Sequence, residues 1–262
     1  MKKLLTIAGS DSCGGAGIQA DLKTFSAHEV FGMSVITAVT AQNTQGVFAV
    51  QDISPEIIQK QIEVIFDDIQ VDAVKVGMVS RTETIKIIAE TLSKYSVQNL
   101  VIDPVMVSKS GFHLLQPEAK EALISHLLPL ATVVTPNLPE AEVITGMSIN
   151  TVEEMKEAAR RIHSMGPKYV LVKGGHLEGE AVDILFDGEA FEYFNSPRIV
   201  TKNTHGTGCT LSSAIAANLG KGFSINDAIE KAKDYITIAI ENSFSIGKGV
   251  GPVHHFYQLY NK

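Results

Sequence analysis

The strongest constraint on this chain is a repeated pattern: a short apolar run stops at a polar or glycine-rich junction, and a segment with helical spacing follows. Residues 3–8 stop at Gly9, and residues 34–40 lead into Ala41-Gln42-Asn43. Residues 73–77 lead to Met78, and Leu100-Val-Ile-Asp103 ends on a carboxylate. Ala131–Thr135 meets Pro136-Asn137, and Tyr169–Lys173 meets a glycine pair. Helical patterns over 18–29, 55–66, 81–95, 117–128 and 151–165 separate these runs, with Ser54-Pro55, Ser80 and Thr151-Val-Glu-Glu154 as start signals. Such alternation predicts a doubly wound parallel sheet, in which the groups that follow the strands gather along one edge.

Composition narrows the class. At 45% hydrophobic and 19% charged residues over 262 positions, the chain can bury a sheet on both faces, and it reads as one domain over 1–262. A formal charge of -7 argues against a general nucleic-acid or membrane-surface binder. No apolar run approaches a membrane span, and the opening run is too short for a signal peptide. With only Cys13 and Cys209, the expected setting is the cytoplasm, with both thiols free. Asp187-Gly188 between two apolar runs predicts a hairpin, and hence an antiparallel edge to the sheet.

Two glycine-rich loops carry the chemistry. Gly9-Ser-Asp-Ser-Cys-Gly-Gly-Ala-Gly17 contains the start of a dinucleotide-type fingerprint, Gly15-Ala-Gly-Ile-Gln-Ala20, but the next strand ends without the acid that would hold a ribose. Asn203-Thr-His-Gly-Thr-Gly-Cys-Thr-Leu-Ser-Ser213 is a polar loop running into a small-residue helix, expected from about Thr210, whose free N–H groups suit an anion. There is no phosphate-binding G-x-x-x-x-G-K-[ST], no H-E-x-x-H and no G-x-S-x-G. Two glycine loops, carboxylates at strand ends and Lys173 remain, and these are the ingredients of phosphoryl transfer.

The segments Ala8–Asp21, Thr40–Thr44, Asp103-Pro-Val-Met106, Thr135-Pro-Asn-Leu-Pro-Glu-Ala141, Lys173-Gly-Gly-His176, Thr204–Thr210 and Gly251-Pro-Val-His-His255 together resemble the hydroxymethylpyrimidine/phosphomethylpyrimidine kinases of the ribokinase superfamily, in family order along nearly the whole chain. The resemblance implies a three-layer α/β sandwich with a mostly parallel central sheet, an antiparallel edge hairpin and helices on both faces. It also implies ATP and Mg²⁺ as cofactors and a homodimer. Gly9, Asp21, Gln42, Met78 and Val105 would line the pyrimidine pocket. Asp103, Lys109, Asn137, Lys173 and Thr207 would face the nucleotide phosphates, with Asp103 and Glu140 toward Mg²⁺, the latter through water. Gly206, Thr207, Gly208 and Cys209 would form the anion hole, and residues 106–112 a flap.

Cys209 stands where many ribokinase relatives have a catalytic aspartate. At a helix N-terminus its pKa is expected to fall, which makes it a candidate base for the hydroxymethyl proton. His205 is expected to orient the loop, and the His254-His255 pair reads as solvated. Competing readings are a pyridoxine/pyridoxal kinase, a non-catalytic sensor on the same fold, and a thiol enzyme using Cys13 and Cys209.

Overall fold

The strands are β1 (Lys3–Asp11), β2 (Phe31–Asn43), β3 (Gly46–Asp52), β4 (Ala73–Val76), β5 (Leu100–Ile102), β6 (Val133–Val134), β7 (Tyr169–Lys173), β8 (Ala181–Phe186) and β9 (Phe191–Ser196). They form one sheet in the order β3-β2-β1-β4-β5-β6-β7-β8-β9. The computed structural model describes residues 1–107, 114–116, 118–175 and 181–260. From β2 to β7 the pairing is parallel, while β3 and the β8–β9 hairpin run antiparallel. Both edges are therefore antiparallel, where the hairpin signal predicts one. The second follows from the short Thr44-Gln45 link, which leaves β3 no room for a crossover.

The helices are α1 (Gly17–Ala27), α2 (Pro55–Phe66), α3 (Thr82–Lys94), α4 (Ala119–Ala122), α5 (Leu138–Thr145), α6 (Val152–His163), α7 (Thr207–Lys221), α8 (Ile225–Glu241) and α9 (Tyr257–Tyr260). Alternate strand residues enter two separate cores. Leu5, Ile7, Ile102, Val134 and Val172 join the layer of α2, α3, α5 and α6, while Leu4, Val101, Val133 and Leu171 join that of α1, α7 and α8. Both faces are thus covered, as a parallel sheet requires. α7 is buried continuously from Thr210 to Gly220, and its small side chains let it lie close on the sheet: a Cβ at Gly220 would come 3.0 Å from Leu4. None of the described helices is long and apolar enough to cross a membrane.

Local signals are met unevenly. Thr151 and Glu154 form the expected capping box, and Ser224 caps α8. Ser80 does not cap α3; its hydroxyl donates to Asp52 at 2.6 Å, because the end of β3 brings a carboxylate within reach. The expected helix over 117–128 breaks into α4, a π turn at Leu123–Leu127 and a 3-10 turn at Leu128–Leu130. α7 starts three residues earlier than expected because Gly206, at φ 78°, turns the chain into the helix.

β1 has β2 on one side and β4 on the other, so the strand order reverses beside it. Crevices in open α/β sheets form at such reversals, beyond the carboxyl ends of the strands.

Candidate active site

A cleft of about 470 Å³ opens there. Its walls bring together residues from the ends of β1, β2, β4, β5 and β7 with the starts of α1, α5 and α7. Of the expected ring-pocket residues, Gly9, Gln42, Met78 and Val105 line it. Met78 packs over Gly9, where a Cβ would come 2.9 Å from its sulfur, so the glycine makes room for the thioether.

Asp21 does not line the cleft, which corrects its expected place. It is fully buried in α1, where its carboxylate receives Lys75 Nζ at 3.0 Å on both oxygens, Thr6 Oγ1 at 2.6 Å and Ser213 Oγ at 2.7 Å. Four donor contacts leave it no capacity for a ligand. Lys75 has no exposed surface either; burial works against its ammonium, but the Asp21 and Asp103 carboxylates outweigh it and raise its pKa. A charged residue inside the apolar strand Ala73–Val76 is the signal for it.

The other end of the cleft holds the charged groups. Lys173 Nζ donates to Asp103 Oδ1 at 3.1 Å, and Ser212 reaches Oδ2 only at 3.4 Å. A Cβ on Gly208 would come 3.5 Å from Lys173 Nζ and 3.6 Å from Asp103 Oδ2, so this ion pair faces the first turn of α7 directly. By position, the N–H groups of Gly208 and Cys209 have no intrahelical partner. Asn137 and Glu140 form a capping box at the start of α5, satisfying each other's backbone N–H groups. Glu140 also faces Lys173 and Asp103. Burial pushes its carboxyl up to about 7, with Asp103 adding to the rise and Lys173 opposing it. Burial works against the Lys173 ammonium, but the Asp103 and Glu140 carboxylates outweigh it and raise its pKa. Thr207, Gly206, Gly208 and Cys209 all line the cleft. Lys109, His176 and most of the expected flap lie outside the described residues.

Cys209 departs from expectation. Burial pushes its thiol up to about 11, Asp21 and Asp103 add to the rise, and Lys75 with the Gly17 N–H only partly offsets it. The helix N-terminus does not win against loss of water. Burial and the Asp11 charge raise Cys13 as well. Neither thiol is activated, which removes the support for a thiol enzyme.

From sequence, His205 has a loop-orienting role but no partner, and Asp11, which is that partner, is not singled out. Asp11 ends β1 and ties its own glycine loop to the second one: Oδ2 accepts from the Gly15 and Ala16 N–H groups and meets His205 Nε2 at 2.8 Å. Gly206 presses on the same point, since a Cβ there would lie 1.8 Å from Gly15 O. A later segment braces the junction. His205 N–H donates to Gly251 O at 3.0 Å, and Gly251 N–H donates to Asn203 Oδ1 at 3.1 Å. His255, read from sequence as solvated, is buried against Thr210 Oγ1 at 3.0 Å, and burial lowers its pKa to about 4.

The chain matches the family model described as phosphomethylpyrimidine kinase over residues 11–254. It is 56% identical over 258 residues to the hydroxymethylpyrimidine/phosphomethylpyrimidine kinase of Rhizobium meliloti, covering 97% of each chain. It is 53% identical over 253 residues to the thiamine biosynthesis bifunctional protein ThiED of Geobacter sulfurreducens; the match takes in 96% of this chain but spans about half, 52%, of that protein. A Bacillus subtilis pyridoxal kinase, solved as an ADP complex, superposes with a TM-score of 0.92 at 45% identity over all of both chains. The sheet order, the paired glycine loops and these likenesses agree: the chain belongs to the phosphomethylpyrimidine kinase family.

Proposed function

We propose that the chain is a single-domain ATP-dependent kinase. It phosphorylates the hydroxymethyl group of 4-amino-5-hydroxymethyl-2-methylpyrimidine and then the resulting monophosphate, in thiamine biosynthesis. One observation carries this reading: the Asp103–Lys173 pair faces the free N–H groups of α7 at one end of a cleft whose other end presents Gln42. A transferring phosphoryl group spreads negative charge over its oxygens, and fixed N–H groups with an ammonium are suited to receive it.

The residues also fit a hydrated Mg²⁺. Asp103 and Glu140 place two carboxyl groups beside one ammonium, so a cation there would balance the second carboxylate; burial first, and Asp103 second, disfavour its ionisation without one. When bound, Mg²⁺ would offset the charge on the nucleotide phosphates. Asp103 and Glu140 would hold it, Asn137 and Thr207 would border the phosphates, and Lys173 would meet the transferred group. Gly9, Met78 and Val105 would flank the ring, with Gln42 hydrogen-bonded to its edge. Cys209 keeps its proton at neutral pH and fills the wall beside the accepting hydroxyl. A loose transition state makes little demand for a strong base, so the reaction does not need the thiolate.

A second copy would dock on the outer face of the β2–β3 ribbon, where Val39, Ala41 and Ala49 are exposed, Ala41 opposite Ala49 and Val39 opposite Gln51, giving a cytoplasmic homodimer. Light scattering on Val39→Lys should then report a monomer.

The decisive experiment is a coupled ATP assay with the aminopyrimidine alcohol, followed by mass analysis for mono- and diphosphate. No turnover with this alcohol would overturn the reading. The likeness to a pyridoxal kinase favours a second reading, phosphorylation of pyridoxine or pyridoxal. Competition between the two alcohols separates them, and preference for pyridoxine would replace the first reading with the second.

A further inference from the structure

Three side chains from separate elements meet where the two glycine loops touch. Asp11 Oδ1 accepts the Cys13 N–H at 2.8 Å, while Oδ2 accepts from Gly15 at 3.0 Å and Ala16 at 2.8 Å and meets His205 Nε2 at 2.8 Å. Burial raises the Asp11 carboxyl, but the contact with His205 and the loop N–H groups lower it further, so the group is an ionised acceptor. The proton between Asp11 and His205 therefore sits on His205 Nε2.

That assignment has a consequence for Gln42. The same Nε2 lies 3.4 Å from the Gln42 amide nitrogen, so two N–H donors face one another. The opposite end of the carboxamide repeats the conflict. Its oxygen lies 3.3 Å from Thr40 Oγ1, whose single proton goes to Ser10 O at 2.9 Å and leaves only lone pairs toward Gln42. A half-turn of the carboxamide eases both conflicts: the NH₂ then donates to Thr40, and the oxygen replaces an amide N–H beside His205 Nε2–H, whose proton stays donated to Asp11 and reaches the oxygen only as a weak second acceptor 3.4 Å away. The Gln42 backbone cannot absorb the mismatch instead, because Ser12 Oγ holds both its N–H and its carbonyl at 2.8 Å.

We propose that Asp11 and His205 are positioning residues that hold the Gln42 carboxamide with its oxygen toward the imidazole, and so set the donor and acceptor order the cleft offers a ring. The inference deepens the ring-alcohol kinase reading above and depends on it for its kinetic consequence. An aminopyrimidine edge and a hydroxypyridine edge present different sequences of donors and acceptors, so a fixed amide discriminates between them where a freely turning one does not.

Two measurements test it. In the unmodified protein, with ¹⁵N-labelled histidine and His205 assigned by its loss in His205→Phe, the His205 resonance should show a protonated Nε2 at neutral pH. An unprotonated Nε2 would overturn the inference. In kinetics, His205→Phe should raise KM for the pyrimidine alcohol about tenfold or more and narrow its preference over pyridoxine by a similar factor, with KM for ATP unchanged. An unchanged preference, or a rise in KM for ATP as large as that for the alcohol, would mean a merely structural role. Failure of the kinase reading looks different: the unmodified enzyme would phosphorylate neither alcohol while the Nε2 proton is still found. Should His205→Phe fail to fold, Asp11→Asn serves both for assignment and for kinetics, and the loss of ring preference is the result expected.

Discussion

Two lysine–aspartate pairs lie under the same helix and differ in what they leave open. Lys75 and Asp21 have no exposed side-chain surface, and each Asp21 oxygen is met at 3.0 Å or less. Lys173 and Asp103 are 14% and 2% exposed, and among the described residues the Asp103 carboxylate has, beyond the lysine, only contacts at 3.4 Å, from Thr135 and Ser212. The first pair is saturated and joins α1, β4, β1 and α7. The second has spare acceptor and donor capacity turned toward a cleft. On the kinase reading proposed above, the incomplete pair is the one that meets the phosphates, and the saturated pair keeps it in place.

Replacing a lysine in each pair should split the two roles. Lys173→Met should lower kcat by roughly 10²–10³, the usual loss for one charge-stabilising donor, with a smaller loss of stability than the fully enclosed Lys75 shows. A Lys173→Met enzyme within tenfold of wild type would erase the distinction. Lys75→Met should cost about 3–5 kcal/mol of stability, because it strands a buried carboxylate, and chemical denaturation would read this directly. Adding Asp21→Asn to that variant should recover part of the loss by removing the stranded charge.

Smaller effects sharpen the boundary between the regions. Cys209→Ala should retain turnover within about tenfold, since the protonated thiol contributes packing and no base; a larger loss in kcat at unchanged substrate KM would restore the thiolate mechanism. Glu140 supplies a pH test. Its pKa near 7 predicts that kcat/KM for ATP rises with pH through about 7, and Glu140→Gln should flatten that limb. The stability sign runs the opposite way. Between the ordinary glutamate pKa and about 7 the folded protein holds a proton that the unfolded chain has shed, so this group costs stability as pH rises through that window. Melting curves should show Glu140→Gln gaining on wild type above about pH 7 and not at acid pH.

The contrast also explains what could be read from sequence. The cleft-side groups announce themselves because each follows a strand: Asp103, Asn137 and Lys173 stand at run ends beside proline or glycine. The Thr151 capping box and the Asp187-Gly188 hairpin were legible because their partners lie within a few residues. Lys75 stands out as a charge inside an apolar strand, but its partner lies 54 residues away and no local pattern names it. The motif misplaces Asp21 for the same reason, as it gives the residue but not the direction of its carboxylate. Asp11 and His205 are 194 residues apart, and only the crossing of two loops reveals them as one unit. For Cys209 the sequence points to the wrong sign, because helix position is visible in sequence and desolvation is not.

The bracing of His205 and Asn203 by Gly251, and of Thr210 by His255, bears on synthesis in the cell. Gly9, Gln42, Met78 and Val105 all precede residue 108, yet Gln42 meets His205, and the turn that opens α7 is braced by residues 251–255. A chain stalled before Gly251 therefore lacks the brace on both loops, so the cleft is finished only after that segment is made.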